Sequence, residues 1–273
     1  MLQVKAPKKP APVSDSKLWT DWFKALRGFG DNHYGVEIRT FGSAVALVTH
    51  GIPVATFNRV LALDPSDAEL IPRIWEFFRE RGLPCRFYLA QPNETLGVVG
   101  HLRNVGFAIA DVQAHLQGQP TTYLPAPPQG LTVREVSPHE FDFFSGLYAL
   151  AYYDAGAAPE GLIGFRAALV RSVCGRPGWR VYMSFVDDQP AGGAILQLDG
   201  GVATLAGGAT LNRFRGRGCQ TALLERRLAD AAEAGCTTVV SRCSAGTTSQ
   251  SNMERLGLRL TSTKDIWEPR PLG

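Results

Sequence analysis

The stretch RFRGRG, residues 213–218, holds three arginines and two glycines directly before a helix rich in alanine and leucine. The first backbone N–H groups of a helix lack carbonyl partners within it, and their dipoles favour an anion placed there. Gly216 and Gly218 would let the main chain approach such a ligand, and guanidinium groups suit phosphate oxygens. The pattern therefore predicts a phosphate-binding turn, with a solvated basic turn as the alternative.

The spacing of this turn argues against two common phosphate-binding motifs. It matches neither GxGxxG nor GxxxxGK[ST], since no Lys-Ser or Lys-Thr pair follows the glycines, which disfavours a nucleoside triphosphate with magnesium. A nucleic-acid partner is not expected either, because the formal net charge is only +3 and the arginines are clustered in one turn.

The segment around the turn has the periodic patterns of a mixed α/β layer. Ser137, Pro138 and Glu140 give a capping-box helix start, and Gly235 ends the helix after the turn. Gly207 and Gly208 inside a strand predict a β-bulge or a close backbone approach. The predicted order is strand 131–136, helices 137–153 and 159–174, strands 179–188, 190–201 and 202–211, a helix to 234, strand 237–243, a short helix at 249–257 and a strand through 267.

The first half of the chain echoes this order. VATFNRVLAL (54–63) lines up with VATLAGGATL (202–211), and a helix, a glycine and a strand follow in both halves. This agreement predicts an internal duplication, the alternative being generic α/β patterns shared by chance. Where the second copy has the arginine-glycine turn, the first has DPSDAEL (64–70), so we expect only the C-terminal copy to bind an anion here.

The stretch QGQPTTYLPAPPQG (117–130) is rich in proline and glycine, as expected of a linker. It separates two segments that each have their own periodicity. The predicted organisation is a disordered arm over 1–16, a domain over 17–118, a linker over 119–129 and a second domain over 130–273.

The composition is that of a globular protein, with 45% hydrophobic and 19% charged residues. Neither a signal-peptide core nor a run of the ~18–20 apolar residues that a membrane span requires is present. Five cysteines without a CxxC pair and five scattered histidines predict no disulfide framework and no metal site. We therefore expect a cytoplasmic protein that has no membrane partner.

The C-terminal half resembles the GCN5-related N-acetyltransferase (GNAT) family over about 140 residues, in element order and in two motifs. The family's motif of Gln or Arg, two residues, Gly, one residue and Gly or Ala fits from Arg213 or from Arg215; the second register suits the following helix better but places Gln220 at the small position. The stretch SQSNMERLGLRLTSTKDIW (249–267) is similar to the family's late helix and last strand. The resemblance implies an α/β fold of two GNAT-like domains in tandem, each a mixed, mostly antiparallel central sheet flanked by helices, the first degenerate.

The resemblance also implies acetyl-CoA as co-substrate and a small amine or amino-acid-like acceptor, which attacks directly in a ternary complex. The pyrophosphate would lie on the amides of residues 216–221, and the pantetheine arm would pair with the backbone at 208–210. The implied cofactor-binding residues are Gly208, Ala209, Thr210, Arg215, Gly216, Arg217, Gly218, Cys219, Gln220, Thr221 and Asn252.

Catalytic groups are harder to assign, because the chain departs from the family at two positions. The strand 202–211 lacks the usual glutamate, and Met253 stands where the usual tyrosine acid would be. The substitutes that we predict are Tyr152, Tyr153, Asp154, Ser249 and Asn252, with core packing and helix capping as their alternatives. Cys219, near a helix N-terminus among arginines, is predicted to have a lowered thiol pKa, although a packed small residue is the simpler interpretation of it.

These departures keep a second function class open. The chain could be a catalytically silent acyl-CoA-binding sensor or interaction module. The predicted oligomeric state is a monomer or a homodimer.

Overall fold

The computed structural model describes residues 15–90, 96–153, 158 and 161–270. Within that part of the chain, no helix is both long enough and apolar enough to span a bilayer. The helices are α1 (Asp15–Arg27), α2 (Ile71–Arg79), α3 (Leu96–Asn104), α4 (Phe141–Tyr153), α5 (Leu162–Arg171), α6 (Cys219–Glu233) and α7 (Thr248–Arg255). The strands are β1 (Val36–Phe41), β2 (Ala44–Thr49), β3 (Arg59–Leu61), β4 (Arg86–Ala90), β5 (Phe107–Gly118), β6 (Leu131–Glu135), β7 (Trp179–Val186), β8 (Gln189–Asp199), β9 (Val202–Thr210), β10 (Thr238–Ser244) and β11 (Arg259–Pro269).

All these strands form one 11-stranded sheet in the order β1-β2-β3-β4-β11-β5-β10-β9-β8-β7-β6. Two neighbouring pairs are parallel, β3 with β4 and β9 with β10, and the described remainder is antiparallel. The order of elements predicted for the second half is confirmed, and so is the capping box, in which the Ser137 amide donates to Glu140 at 3.1 Å.

The two halves exchange their last strands. β5, from the first half, lies between β11 and β10, whereas β11, from the second half, lies between β4 and β5. β5 and β11 pair antiparallel along nearly their whole lengths, from Arg259 opposite Gln117 to Pro269 opposite Phe107. The sequence predicts a central sheet in each half; the structure joins them, because these long strands complete each other's sheets.

The sheet separates two layers of helices. Ile195 of β8 packs in one core with α4 and α5, whereas its neighbours Ala194 and Leu196 pack in another with α6. Since successive side chains of a strand point to opposite faces, α4 and α6 cover opposite faces of the sheet. We call these the α4 face and the α6 face.

The first half differs from the sequence prediction in two places. The strand expected over 54–63 is reduced to β3, which follows a short 3₁₀ helix at Ala55–Phe57. The arm expected over 1–16 ends earlier, because α1 begins at Asp15; residues 1–14 lie outside the described residues.

Asp15 attaches α1 to the centre of the sheet. Its buried carboxylate accepts from Lys264 Nζ of β11 at 2.6 Å and from Arg242 Nε of β10 at 3.0 Å, and His115 Nε2 of β5 lies 3.2 Å away. Burial opposes ionisation of Asp15, but the charges of Arg242 and Lys264 prevail and, with His115, lower its pKa to about 2. One carboxylate therefore joins both exchanged strands and β10.

Candidate active site

The cleft begins where β9 and β10 diverge. The two strands pair only from Val202 to Leu205, although β9 continues to Thr210. On the other side of β9 the register shifts, so that Ile195 faces Gly207 while Leu196 faces Leu205. The bulge predicted at Gly207–Gly208 is thus confirmed in this strand, one residue towards the N-terminus. Beyond it, no strand of the described chain pairs with the edge of β9 that faces β10.

The arginine-glycine turn leads from this open edge into α6. Gly216 and Gly218 have φ values of 78° and 82°, a left-handed conformation that favours glycine. The first bond of the helix runs from the Ala222 amide to the Gly218 carbonyl at 3.0 Å. Within the described chain, no carbonyl accepts from the amides of residues 216–221. The turn therefore presents a run of unpaired N–H donors beside a helix N-terminus, as the anion-site prediction requires.

A cleft of about 700 Å³ joins the open edge and the turn. Ala151 and Tyr152 line it from the α4 face, and α6 and α7 line it from the other, so the opening between β9 and β10 connects both faces of the sheet. The structure brings together in this cleft most of the residues predicted from the sequence: Tyr152, Gly208, Ala209, Thr210, Arg215, Gly216, Gly218, Cys219, Gln220, Thr221, Ser249 and Asn252.

Two of the predicted residues, Arg217 and Tyr153, do not line the cleft. The Arg217 guanidinium points to Asp187 in the β7–β8 turn, with Nη1 3.5 Å from Oδ2. The Tyr153 hydroxyl accepts from the Arg166 Nη2 at 3.0 Å instead of facing the cleft. Asp154 lies outside the described residues.

Gln220 links α6 to α7 inside the cleft. Its Nε2 donates to Ser249 Oγ at 3.0 Å, and its Oε1 accepts from Asn252 Nδ2 at 2.6 Å. Arg255 donates to Asn252 Oδ1 in turn. Because Ser249 accepts in this network, its own hydroxyl proton remains available to a ligand. The resemblance implies a small residue at position 220. In this structure, Gln220 instead links α6 to α7 through its two hydrogen bonds.

The prediction for the thiol of Cys219 is wrong. The side chain is 2% exposed and packs in a small core with Phe214 and Ala222. Burial raises its pKa, and this effect exceeds the lowering by Arg217. Cys219 is thus a packed residue rather than an activated nucleophile.

We expect Cys219 to resist alkylation in the native protein. Its reaction with iodoacetamide at pH 7 should be at least roughly tenfold slower than in the unfolded chain, since both burial and a raised pKa reduce the reactive thiolate. Time-resolved peptide mapping by mass spectrometry measures this ratio. Half-buried Cys243 serves as an internal reference for access of the reagent. Equal rates for Cys219 in the two states would contradict the prediction.

Six residues that line the cleft were missed by sequence reasoning, and Arg227 is the one among them that is both charged and buried. Arg227 of α6 lines the cleft although its side chain is 3% exposed. Its Nη1 donates to the carbonyls of Ile195 and Gly207, the pair at the bulge, at 3.1 and 2.9 Å. Burial lowers its pKa to about 10, which leaves it charged at neutral pH. The sequence feature from which the burial of Arg227 could have been predicted is its position on the apolar face of α6, four residues after Leu223.

No group of His, Cys, Asp and Glu side chains in the described part of the chain has the arrangement of a metal site.

Comparisons with known proteins find similarity to one family in part of the sequence and in the fold. The family model described as "Acetyltransferase (GNAT) domain" matches residues 130–242, whereas no curated protein matches the chain. A GCN5-related N-acetyltransferase from Kribbella flavida has a TM-score of 0.61 at 18% identity, over 96% of this chain and 97% of its own. A tandem GNAT protein from the clavulanic acid biosynthesis pathway has a TM-score of 0.62 at 15% identity, over 96% and 98%. A GCN5-related N-acetyltransferase from Sphaerobacter thermophilus has 0.62 at 14% identity, over 84% and 81%. Residues 130–242 are therefore similar to the acetyltransferase (GNAT) domain, and the whole chain is similar in fold to solved GNAT proteins.

Proposed function

We propose that the protein transfers an acetyl group from acetyl-CoA to the amine of a small-molecule or amino-acid-like acceptor. The observation that carries this proposal is the combination, in one cleft, of unpaired helix amides, an unpaired strand edge and an opening to both faces of the sheet. The helix amides can hold an anion, and the strand edge can pair with amide groups of a ligand. The opening to both faces lets an acceptor approach from the side opposite the coenzyme.

The groups present fit the parts of acetyl-CoA in order. The amides of residues 216–221 suit the diphosphate, and the guanidinium of Arg215 borders the same space. The edge of β9 at Gly208–Thr210 offers main-chain donors and acceptors to the two amides of the pantetheine arm. The arm thus takes the place of the neighbouring strand that β9 lacks beyond the bulge.

The reaction needs a neutral amine nitrogen that attacks the thioester carbonyl carbon. The C–N bond forms, the C–S bond breaks, the amine loses one proton and the leaving thiolate gains one. Ser249 has a hydroxyl proton to donate to the coenzyme's arm near the turn, because its oxygen already accepts from Gln220. The leaving thiolate takes its proton from water in the open cleft. No Asp or Glu of the described chain lines the cleft, so the proton of the amine leaves to water.

The broader features of the proposal follow from the same site. The first half is a degenerate copy, since its helix α2 follows a 3₁₀ turn with Asp64 and Asp67 where α6 follows the arginine-glycine turn. All five cysteines are free, which suits a cytoplasmic protein. Both a monomer and a homodimer are compatible with this site, because described residues of a single chain supply both the amides of the turn and the open edge of β9.

A catalytically silent acyl-CoA-binding module is the second candidate. It is favoured by the lack of carboxylates among the described residues that line the cleft and by Met253, which is 2% exposed in the core. Calorimetry with acetyl-CoA and thiol release from acetyl-CoA with a mixed panel of primary amines separate the two. We expect saturable binding and thiol release above the amine-free rate. Binding without thiol release for any amine would favour the silent module, and absence of binding would overturn both.

A further inference from the structure

Arg227 carries a buried charge that no acidic group of the described chain neutralises. Its Nη1 and Nε donate to main-chain carbonyls, Nε to Leu223 at 2.9 Å. No ion pair between described residues involves it, and the ionisable groups that face it are Tyr148 and Tyr182, both neutral at pH 7. Burying a cation without a counter-charge is unfavourable, so a ligand that accepts from it would stabilise the site.

The remaining nitrogen, Nη2, belongs to a side chain that lines the cleft. A Cβ added to Gly208 would lie 3.6 Å from it, so the guanidinium borders the unpaired edge of β9 directly. No acceptor in the described chain bonds to Nη2. Its two N–H groups are therefore held in a fixed direction by Nη1 and Nε, and both stay available to a ligand.

The position of Arg227 along the cleft shows which part of a ligand it meets. It follows Cys219 by about 12 Å along α6, at 1.5 Å per residue. β9 leads into α6 through the turn, so moving away from the turn along the helix also moves back along the strand, from Thr210 to Gly208. A coenzyme whose diphosphate lies at the turn and whose arm follows β9 thus brings its thioester end beside Arg227.

We propose that Arg227 Nη2 donates a hydrogen bond to the carbonyl oxygen of the bound thioester. This inference rests on the proposed function and adds to it a residue that contacts the reacting atoms. When the amine nitrogen bonds to the carbonyl carbon, the π electrons move onto that oxygen, and the fixed guanidinium stabilises the negative charge. When the intermediate collapses, the carbonyl forms again and the thiolate leaves, while Arg227 keeps its protons throughout. Donors of this kind contribute about 10²–10³ in kcat in other acyl-transfer sites.

A pair of ligands tests this contact without knowledge of the acceptor. Acetyl-CoA has the carbonyl, and S-ethyl-CoA, a thioether, lacks it. We expect the wild-type protein to bind acetyl-CoA about tenfold more tightly by calorimetry, as for one hydrogen bond to a charged donor. In Arg227→Gln the two dissociation constants should become equal within about twofold. Arg226→Gln is the matched control, since Arg226 is the adjacent arginine but pairs with Asp230 at 2.8 Å away from the cleft; it should keep the wild-type ratio.

The outcomes separate this inference from the proposed function. A purely structural role for Arg227, through its clamp on the bulge, would weaken both ligands equally and leave their ratio unchanged, which would overturn the inference. Equal affinities in the wild type would also overturn it, while the proposed function would stand. If neither ligand binds the wild type, the proposed function fails. Should Arg227→Gln not fold, as judged by thermal unfolding, Arg227→Lys replaces it, because a shorter reach of the charge should also lower the ratio.

Discussion

Replacing Gly208 by leucine is expected to raise the Kd for acetyl-CoA at least roughly 100-fold while the protein stays folded. The first carbon of a new side chain fits, because a Cβ at Gly208 would have only ordinary contacts, 3.6 Å from Arg227 and 3.9 Å from Ala194. The remaining carbons of leucine must enter the cleft beside the unpaired edge of β9, where the pantetheine arm would lie. Lost main-chain pairing and steric exclusion together exceed the ~2.7 kcal/mol that a 100-fold change represents.

The control for this prediction is Gly208→Ala. It adds the carbon that fits and should change the Kd by no more than about threefold. Calorimetry with acetyl-CoA gives both values, and thermal unfolding verifies the fold of each variant. Unaltered affinity in Gly208→Leu would mean that no ligand lies along this strand. Gly218 is a poorer target, because its φ of 82° and a contact of 3.4 Å to Pro128 would combine backbone strain with any effect on the ligand.

Asp15→Asn is expected to lower the free energy of unfolding by about 3–5 kcal/mol, the range for breaking a buried ion pair by removing one partner. The substitution leaves Arg242 and Lys264, whose side chains are 13% and 21% exposed, without a neutralising charge at the centre of the sheet. Urea unfolding followed by circular dichroism measures the change. Asp142→Asn is the control, because Asp142 pairs with Arg171 but its side chain is 88% exposed; it should cost no more than about 1 kcal/mol. Equal effects of the two substitutions would contradict a special role for the buried cluster.

The same cluster gives the stability a defined pH dependence. The pKa of Asp15 is about 2 in the folded protein and 3.8 as its ordinary value, so the unfolded chain binds the proton first as the pH falls. The stability that the ionised Asp15 carboxylate gives to the folded protein is complete above pH 4 and is lost as the pH falls towards 2. Burial lowers the pKa of His115 from 6.5 to about 4, so stability also falls as the pH drops from 6.5 to 4. The wild-type stability should therefore decrease over both ranges, whereas Asp15→Asn should show a smaller decrease below pH 4; the part that remains includes that of Glu140, whose pKa is also lowered to about 2.

The parts of the site that the sequence predicted depend on local backbone physics. The arginine-glycine turn, the bulge near Gly207 and the start of α4 at Ser137 each follow from conformations that a few neighbouring residues favour. Those preferences act within a single turn or strand, so they can be read without knowledge of the rest of the fold.

The features that the sequence did not predict depend on contacts between distant segments. The exchange of β5 and β11 is decided by strand pairing across the chain, which no local pattern encodes. The sequence around Arg227 does not indicate what its guanidinium binds, because the carbonyls that accept from it belong to Ile195 and Gly207, which are distant in sequence. For Cys219, helix and arginine effects indicated a low thiol pKa, but burial under Phe214 outweighs them.

The strand exchange has a consequence for how the chain is made. In the sheet, β4 gains its neighbour on the side of β5 only when β11 is present, and β11 is the last of the described strands in chain order. During synthesis on the ribosome, the half that emerges first therefore keeps an open hydrogen-bonding edge until the second half has been made. Such an edge is a template for intermolecular association, so this protein should depend on chaperones, or on slow dilution in refolding, more than a chain whose halves mature one after the other.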